Sequence, residues 1–252
     1  MATQPIVFVH GFACTHADWR LQASHFSAEH PVYTPDLRGH GATHARPEDC
    51  SIETYGSDMA ALLEGKDLNG AVLIGHSMGC RVVLQAYLNA PARVAAIALI
   101  DGSFRSGADP ASSEAAARAA IDAEGYGAFA RRLFSEMFLA PSPRATDIIE
   151  RALKLPATIG GALYPRLARW DAAHMVEALA AIKVPLLVIQ STTMGANNRR
   201  AAIQPGETSP WLDLVRRCAP AARIEILTGL GHFPHLEAPD QVNKLLTGFI
   251  KP

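Results

Sequence analysis

The chain has 252 residues, of which 49% are hydrophobic and 19% are charged, a composition typical of a globular protein with a substantial buried core. Lysine and arginine number 23 against 24 for aspartate and glutamate, so the net charge of −1 provides no field that would attract nucleic acid or an anionic membrane. The longest apolar runs, such as Val94 to Ile100, are far shorter than the roughly 18 to 20 residues of a membrane span.

The N-terminal residues lack the basic stretch, apolar segment and cleavage site of a secretory signal, so we expect a cytoplasmic protein. Cys14, Cys50, Cys80 and Cys218 are scattered without a C-x-x-C pair, which predicts neither a zinc site nor a disulfide framework. We expect no cofactor, a small-molecule substrate as the partner, and a monomer or homodimer.

Six short runs rich in valine, isoleucine and leucine alternate with helix-like stretches and are predicted to be strands. They are Ile6–Val9, Val32–Thr34, Ala71–Ile74, Val94–Ile100, Pro185–Gln190 and Arg223–Leu227. Continuous apolar strands separated by helical segments indicate a mostly parallel sheet covered on both faces. The predicted fold class is therefore α/β.

Helices are predicted at Met78–Asn89, which ends before a proline, and at Pro239–Ile250, where apolar residues recur at helical spacing. Residues 103–181 are alanine-rich and contain no convincing strand, so we expect a helical cap inserted into a core made of residues 1–102 and 182–252. The segment Ser191–Pro210 is polar and about twenty residues long, which is unusual for a loop without a function.

The strongest motif is a G-x-S-x-G at residues 75–79, placed directly between a predicted strand and a predicted helix. A serine on such a sharp turn needs strained backbone angles, and glycines on either side avoid collisions. The turn exposes the Ser77 hydroxyl above the carboxyl edge of the sheet, where the helix start supplies backbone N–H groups. Ser77 is thus the candidate nucleophile.

A serine hydroxyl is a weak nucleophile, so this hypothesis requires a base and an orienting acid. His232 follows Gly231 in the loop after the last predicted strand, from which its ring can reach Ser77, and we take it as the base. His235 is interpreted as a packing residue. The spacing of His232 and His235 also suits a metal pair, but no third ligand lies near them in the sequence, so no metal site is predicted.

An oxyanion hole requires two donors directed at the developing negative charge. The N–H of Met78, next after the nucleophile, is one candidate. The other is the N–H of Phe12, in the loop after the first strand, where Gly11 permits close approach of the backbone.

The sequence resembles the α/β-hydrolase superfamily over essentially its whole length. The motifs at residues 10–12, 35–41, 75–79 and 231–234 occur in the order typical of that superfamily. The resemblance implies a mostly parallel sheet of about eight strands, of which this chain begins at the third, a Ser-His-acid triad and a helical cap after the sixth family strand. It also implies that Asp36, Arg38 and His40 form a structural loop.

The triad acid departs from the commonest pattern of this superfamily. Most members carry it after the strand that is here Pro185–Gln190, where this sequence offers only Glu207 before Asp213. Asp101 instead follows the strand beside the nucleophile strand, from which a carboxylate can approach the same histidine. We take Asp101 as the acid, with Glu207 as the alternative; Asp101 is also placed to cap a turn.

These residues predict a serine hydrolase that cleaves a carboxylic ester or lactone. Similar superfamily members include cofactor-free dioxygenases acting on hydroxyquinolones, in which a His-Asp pair is the base, and this is the alternative function. A ligand receptor without turnover is a third hypothesis. Charged anchors are not evident near the motifs, so we expect an uncharged, apolar or aromatic substrate held by Trp19, Phe104, Phe138, Trp170 and Phe233.

Overall fold

The structure, a computed structural model, describes residues 3–104, 109–194, 200–204 and 206–250. Its strands are β1 (Ile6–Val9), β2 (Val32–Tyr33), β3 (Ala71–His76), β4 (Val94–Ile100), β5 (Leu186–Gln190), β6 (Thr192–Met194), β7 (Arg200–Ala202) and β8 (Arg223–Ile226). Its α-helices are α1 (Arg20–Phe26), α2 (Ile52–Gly65), α3 (Met78–Asn89), α4 (Pro110–Glu124), α5 (Tyr126–Ser135), α6 (Pro143–Ala152), α7 (Ala157–Ala180), α8 (Pro210–Cys218), α9 (Pro234–Glu237) and α10 (Pro239–Thr247).

Within the described residues, six strands form one parallel sheet in the order β2-β1-β3-β4-β5-β8. Successive side chains of a strand point to opposite faces, and the sheet accordingly separates two apolar layers. Val7 and Val9 face the layer that contains α2, α3 and α7, whereas Ile6 and Phe8 face the layer that contains α1 and α10. This α/β architecture confirms the predicted fold class.

The order of the strands places the carboxyl ends of β1 and β3 at the centre of one sheet edge. The chain leaves β1 for β2 on one side and returns to β3 on the other side of β1. In open parallel sheets, the crevice at such a reversal is where ligands bind. The loop after β1 and the turn after β3 therefore meet at a position suited to a site.

The polar segment Ser191–Pro210 contains a feature that sequence patterns did not predict. Strands β6 and β7 pair antiparallel, with Thr192 opposite Ala202 and Met194 opposite Arg200. Three residues per strand are too few for a periodic pattern to emerge. Residues 195–199 and 205 of this segment lie outside the described residues.

Four helices, α4 to α7, lie between β4 and β5 in the segment predicted to be a cap, of which residues 105–108 lie outside the described part. A buried ion pair joins this helical insertion to the sheet. Arg81 of α3 donates from Nε and Nη2 to the two carboxylate oxygens of Asp171 of α7, each at 2.6 Å. The two side chains are 2% and 0% exposed. Arg81 also donates to the backbone carbonyls of Ser77 and Ser103, so one guanidinium ties the Ser77 turn to α7.

Two buried histidines hold the loop after β1. The Nε2 atoms of His10 and His40 accept the backbone N–H groups of Leu37 (3.1 Å) and Ala13 (3.2 Å), while their Nδ1 atoms donate to backbone carbonyls. One donor and one acceptor per ring is the hydrogen-bonding pattern of neutral imidazole. Burial lowers the pKa of His10 to about 4 and that of His40 to about 3.

In the part of the chain that the structure describes, no helix combines the length and the apolar character needed to cross a membrane.

The variant Asp171→Ala is expected to lower the free energy of unfolding by about 3–5 kcal/mol, because it leaves the Arg81 guanidinium buried without its counter-ion. Urea denaturation measures the change. Asp58→Ala, which removes the carboxylate of the partly exposed Arg38–Asp58 pair, is the matched control and stays within about 1 kcal/mol of the wild type. Equal losses in the two variants would contradict the structural role given to Asp171.

The free energy of unfolding is expected to fall as the pH drops below about 6.5. Because the pKa of His40 is lower in the folded chain, the unfolded chain binds the proton first, and each pH unit removes about 1.4 kcal/mol per such histidine. In His40→Gln, the loss between pH 7 and pH 5 is therefore smaller than in the wild type by about 2 kcal/mol, as measured by urea denaturation at both pH values. His44→Gln, which replaces an exposed histidine, is the control and loses as much unfolding free energy between pH 7 and pH 5 as the wild type. An equal loss in His40→Gln would disprove the prediction.

Candidate active site

The turn that carries Ser77 is strained and closely packed. Ser77 has φ 55° and ψ −114°, a left-handed conformation that is rare for residues other than glycine. A Cβ at Gly75 would lie 2.3 Å from the carbonyl oxygen of Gly79, and a Cβ at Gly79 would lie 2.2 Å from that of Val9. The glycines of the motif therefore let β1, β3 and α3 meet at the serine.

A continuous chain of hydrogen bonds joins the three residues selected as triad candidates. Ser77 Oγ lies 2.8 Å from His232 Nε2, and His232 Nδ1 lies 2.6 Å from Asp101 Oδ2. His232 and Asp101 are fully buried, whereas Ser77 is partly exposed. Since Asp101 accepts at Nδ1, the ring carries its proton there and presents an unprotonated Nε2 to the serine hydroxyl.

Asp101 is positioned by its own backbone and by a dense set of donors. It follows β4 directly and has a left-handed φ of 45°. Its Oδ1 accepts the backbone N–H groups of Ser191 and Thr192, both at 2.8 Å, and the Ser191 hydroxyl at 3.0 Å. Its Oδ2 accepts the Thr192 hydroxyl at 2.5 Å and Arg200 Nη1 at 3.0 Å in addition to His232. Burial by itself raises the pKa of the Asp101 carboxyl, but these partners, His232 foremost, hold it at about 2, so the group is ionised.

Glu207, the alternative acid, lies elsewhere. It is exposed, and its Oε2 accepts the backbone N–H of Gln204 at 2.8 Å in a local turn. The structure thus brings Asp101, and not Glu207, to the histidine.

The backbone of His232 is held by hydrogen bonds at both its N–H and its carbonyl. The N–H of His232 donates to the carbonyl of Met137 in the helical insertion, and its carbonyl accepts His76 Nε2 at 2.7 Å. Burial lowers the pKa of His232 to about 4, and the charge of Arg200 acts in the same direction, against the raising effect of Asp101. The ring is therefore neutral at physiological pH.

The two candidate oxyanion donors follow the neighbouring strands β1 and β3. A Cβ on Gly11 would lie 3.2 Å from the Cβ of Ser77, which shows how closely the loop after β1 approaches the serine. Phe12 is the next residue of that loop. Met78 begins α3, and an N–H in the first turn of a helix has no partner within that helix. Both N–H groups thus belong to backbone that adjoins Ser77.

A cavity of about 850 Å³ lies beside the acid, between the sheet edge and the helical insertion. Thr192 and Arg200 belong to its wall and also donate to Asp101. Ser77 is not part of this wall, but Tyr164 is. The ring of Phe12 packs edge-on against that of Tyr164, with ring centroids 5.4 Å apart. Phe12 therefore connects the wall of the cavity to the loop that approaches the serine.

The residues predicted to hold the substrate separate into two groups. Phe104 lines the large cavity. Phe138 lines a second cavity of about 600 Å³ and stacks on Phe233, whose ring in turn packs edge-on against His232. These three phenylalanines lie close to the candidate residues or to a cavity.

The expectation that Trp19 and Trp170 form pocket walls is wrong. Trp19 is fully buried between Phe8 and His235, in the apolar layer on the α1 and α10 side of the sheet. Trp170 is fully buried in α7 and donates its Nε1 hydrogen to Gln85 Oε1 at 2.9 Å. Both rings belong to the apolar core, where aromatic side chains bury large areas.

The H-x-x-H spacing does not form a metal pair in this geometry, because both ring nitrogens of His232 are engaged by Asp101 and Ser77. His235 stacks instead on Trp19, with ring centroids 4.5 Å apart. Across the described ranges, no cluster of three or more potential ligand side chains is suitable for holding a metal ion.

Sequence reasoning missed three contributors to this site. Arg200 and Thr192 contact Asp101 from the unpredicted β6–β7 hairpin, and Tyr164 lines the cavity and packs against Phe12. The one signal for the hairpin was the unusual length of the polar segment Ser191–Pro210. Nothing in the local sequence distinguishes Arg200 or Tyr164 from surface or core residues.

Comparison with solved structures shows extensive similarity of fold. An esterase from Thermogutta terrifontis superposes with a TM-score of 0.79 at 23% identity, covering 98% of this chain and 89% of that one. An enol-lactonase from Burkholderia xenovorans LB400 superposes with a TM-score of 0.76 at 22% identity, covering 99% and 92%. At these identities the likeness shows the fold alone.

Curated relatives match at the level of sequence. A non-heme chloroperoxidase of Streptomyces lividans is 41% identical over 98 residues, which are 38% of this chain and 36% of that protein. A dihydrolipoyllysine-residue acetyltransferase component of an acetoin cleaving system from Pseudomonas putida is 26% identical over 247 residues, which are 98% of this chain and 63% of that protein. The chain thus spans less than two thirds of the length of either relative.

The model of the alpha/beta hydrolase family matches residues 6–245, nearly the whole chain. Together with the parallel sheet and the resemblance of its motifs, this match shows that the chain belongs to the alpha/beta hydrolase family.

Proposed function

We propose that the protein is a serine hydrolase that cleaves a carboxylic ester or lactone through an acyl-enzyme on Ser77. The observation that carries the proposal is the hydrogen-bonded chain from Ser77 through His232 to Asp101, in which the two inner groups are buried and the serine is partly exposed. A neutral imidazole that accepts the hydroxyl proton is what activation of a serine requires.

In the acylation step, Ser77 Oγ attacks the carbonyl carbon of the substrate while its proton moves to His232 Nε2. Asp101, ionised and hydrogen-bonded at Nδ1, stabilises the imidazolium that forms. The carbonyl oxygen, as it becomes negatively charged, accepts hydrogen bonds from the N–H groups of Phe12 and Met78. A single donor of this kind contributes on the order of 100- to 1,000-fold to the rate.

The intermediate collapses when His232 returns the proton to the leaving alcohol oxygen, which leaves Ser77 acylated. Water then takes the place of the alcohol, gives a proton to His232, and attacks the acyl carbon. Expulsion of Ser77 Oγ and its reprotonation release the carboxylic acid. In a lactone, the leaving alcohol stays attached to the acyl chain, so the product of the second step is a single hydroxy acid.

The surroundings of the site support a small substrate with a largely apolar or aromatic part. The wall of the large cavity contains Phe104, Phe129, Tyr164 and Trp211 together with the charged residues Asp109, Arg132, Glu136 and Arg200. Phe138 stacks on Phe233, which packs edge-on against His232. The presence of an esterase and an enol-lactonase among proteins of similar fold is consistent with this class of substrate.

Ser77→Ala and Asp101→Asn are each expected to lower kcat by at least about a thousandfold, because the first removes the attacking oxygen and the second disturbs the tautomer and charge of the base. The measurement is a series of p-nitrophenyl esters of increasing acyl length together with simple lactones. Glu207→Gln serves as the matched control, since Glu207 is exposed and accepts the backbone N–H of Gln204 in a local turn, and it stays within about tenfold of the wild type.

Loss of activity in Glu207→Gln with an active Asp101→Asn would contradict the assignment of the acid. Oxygen uptake with a hydroxyquinolone that persists in Ser77→Ala would instead show that the His-Asp pair serves as the base of a cofactor-free dioxygenase. A single acylation of Ser77 without later turnover would identify a receptor.

A further inference from the structure

The acid of the proposed triad has a second, cationic partner. Arg200 Nη1 lies 3.0 Å from Asp101 Oδ2, the same oxygen that accepts His232 Nδ1 at 2.6 Å. The same Nη1 donates to the Thr192 hydroxyl at 2.7 Å, and that hydroxyl donates to Oδ2 as well. The Arg200 side chain is 10% exposed, so water screens this contact only weakly.

The position of Arg200 depends on the short hairpin. β7 pairs with β6 outside the main sheet, and β6 begins at Thr192, whose N–H and hydroxyl both contact Asp101. Pairing of Thr192 with Ala202 and of Met194 with Arg200 therefore brings the guanidinium back over the carboxylate. The hairpin places a cation at the acid although Asp101 and Arg200 are far apart in sequence.

We propose that Arg200 is a positioning residue that shares the Asp101 carboxylate with His232 and thereby extends the activation of Ser77 to acidic pH. The proposal rests on the proposed function, in which His232 acts as the base only while it is neutral. Arg200 acts through Asp101 and does not contact the reacting atoms.

Two electrostatic effects of Arg200 act in the same direction. Its charge neutralises part of the carboxylate charge that would otherwise stabilise the imidazolium, and it also repels the imidazolium directly. Burial is the largest cause that lowers the pKa of His232 to about 4, and the charge of Arg200 is the next. An aspartate without such a partner would favour the protonated ring more strongly.

The other ionisable groups around His232 do not take over this role. His76, at the end of β3, and His235, in α9, are buried, and burial lowers the pKa of His76 to about 3 and that of His235 well below its ordinary value. The charge of Arg81 of α3 also lowers the pKa of His232, but less than that of Arg200, and Arg81 is paired with Asp171 at 2.6 Å and not with Asp101. The carboxylate of Glu237 accepts backbone N–H groups of Gly231 and Phe233, beside the ring. Among the described residues, Arg200 is thus the cation that hydrogen-bonds to the acid.

The contact of Arg200 with Asp101 affects the pH range in which His232 can act as a base. A histidine that stays neutral in acid accepts the serine proton where an ordinary histidine, with a pKa near 6.5, is already protonated. Arg200 also gives Asp101 a further donor that holds its carboxylate in place. Removing the guanidinium is expected to narrow the pH range of activity from its acidic side.

The test compares Arg200→Gln, Arg200→Met and Arg200→Lys with the wild type. Arg216→Gln is the matched control, because Arg216 is largely exposed and pairs with Asp213 and Thr208, away from Asp101. The measured quantity is kcat/KM for p-nitrophenyl butyrate between pH 3.5 and pH 9, with circular dichroism at each pH to restrict the comparison to folded protein. The acidic limb of the two neutral variants rises by at least about one pH unit, while Arg200→Lys and Arg216→Gln remain close to the wild type.

A second readout does not depend on turnover. The ring nitrogens of His232 are titrated by NMR in histidine-labelled protein and assigned by comparison with His232→Gln. The titration midpoint moves upward in Arg200→Gln and Arg200→Met, and it stays in place in Arg216→Gln. If the wild type cleaves no ester or lactone, the proposed function fails. The titration midpoint of His232 then tests by itself whether Arg200 keeps that ring neutral in acid. Equal midpoints and equal acidic limbs in the wild type and the neutral variants would overturn the proposal.

Discussion

The site is organised around a carboxylate that is buried completely and yet ionised. A charge without water is stable only when donors replace its hydration, and Asp101 receives six hydrogen bonds from described residues. The donors come from the end of β5, from the β6–β7 hairpin and from the loop that carries His232. Satisfying one carboxylate therefore aligns three separate parts of the chain, and the imidazole is oriented as a result.

The second requirement is a serine that projects from the sheet edge toward that imidazole. The left-handed backbone of Ser77 is maintained because β1, β3 and α3 pack tightly through Gly75 and Gly79. Arg81 then joins this turn to α7 through Asp171, so the helical insertion is fastened to the same turn that it overlies. Neutral His10 and His40 hold the loop after β1 against it. Buried polar contacts on several sides thus help to maintain the strained backbone conformation of Ser77.

The sequence predicted the parts of this arrangement that depend on strong local patterns. Apolar runs located all six strands of the sheet, and α3 begins and ends where its pattern and the following proline indicated. The structure brings Ser77, Asp101 and His232 together because the carboxyl ends of parallel strands share one edge. Trp19 and Trp170 were misplaced because residue type does not tell whether a large aromatic side chain packs in a core or lines a cavity. Arg200 was missed because its role depends on a pairing of two three-residue strands, which leaves no periodic signal.

The central claim is that Ser77 is a nucleophile activated by His232 and Asp101. The most direct measurement is the intact mass of the protein after incubation with a fluorophosphonate, followed by peptide mapping and by the rate of labelling in variants. We expect a single adduct on Ser77, no adduct in Ser77→Ala, and labelling slowed by at least about a hundredfold in His232→Ala. An adduct on another residue, or an equal labelling rate in His232→Ala, would contradict it.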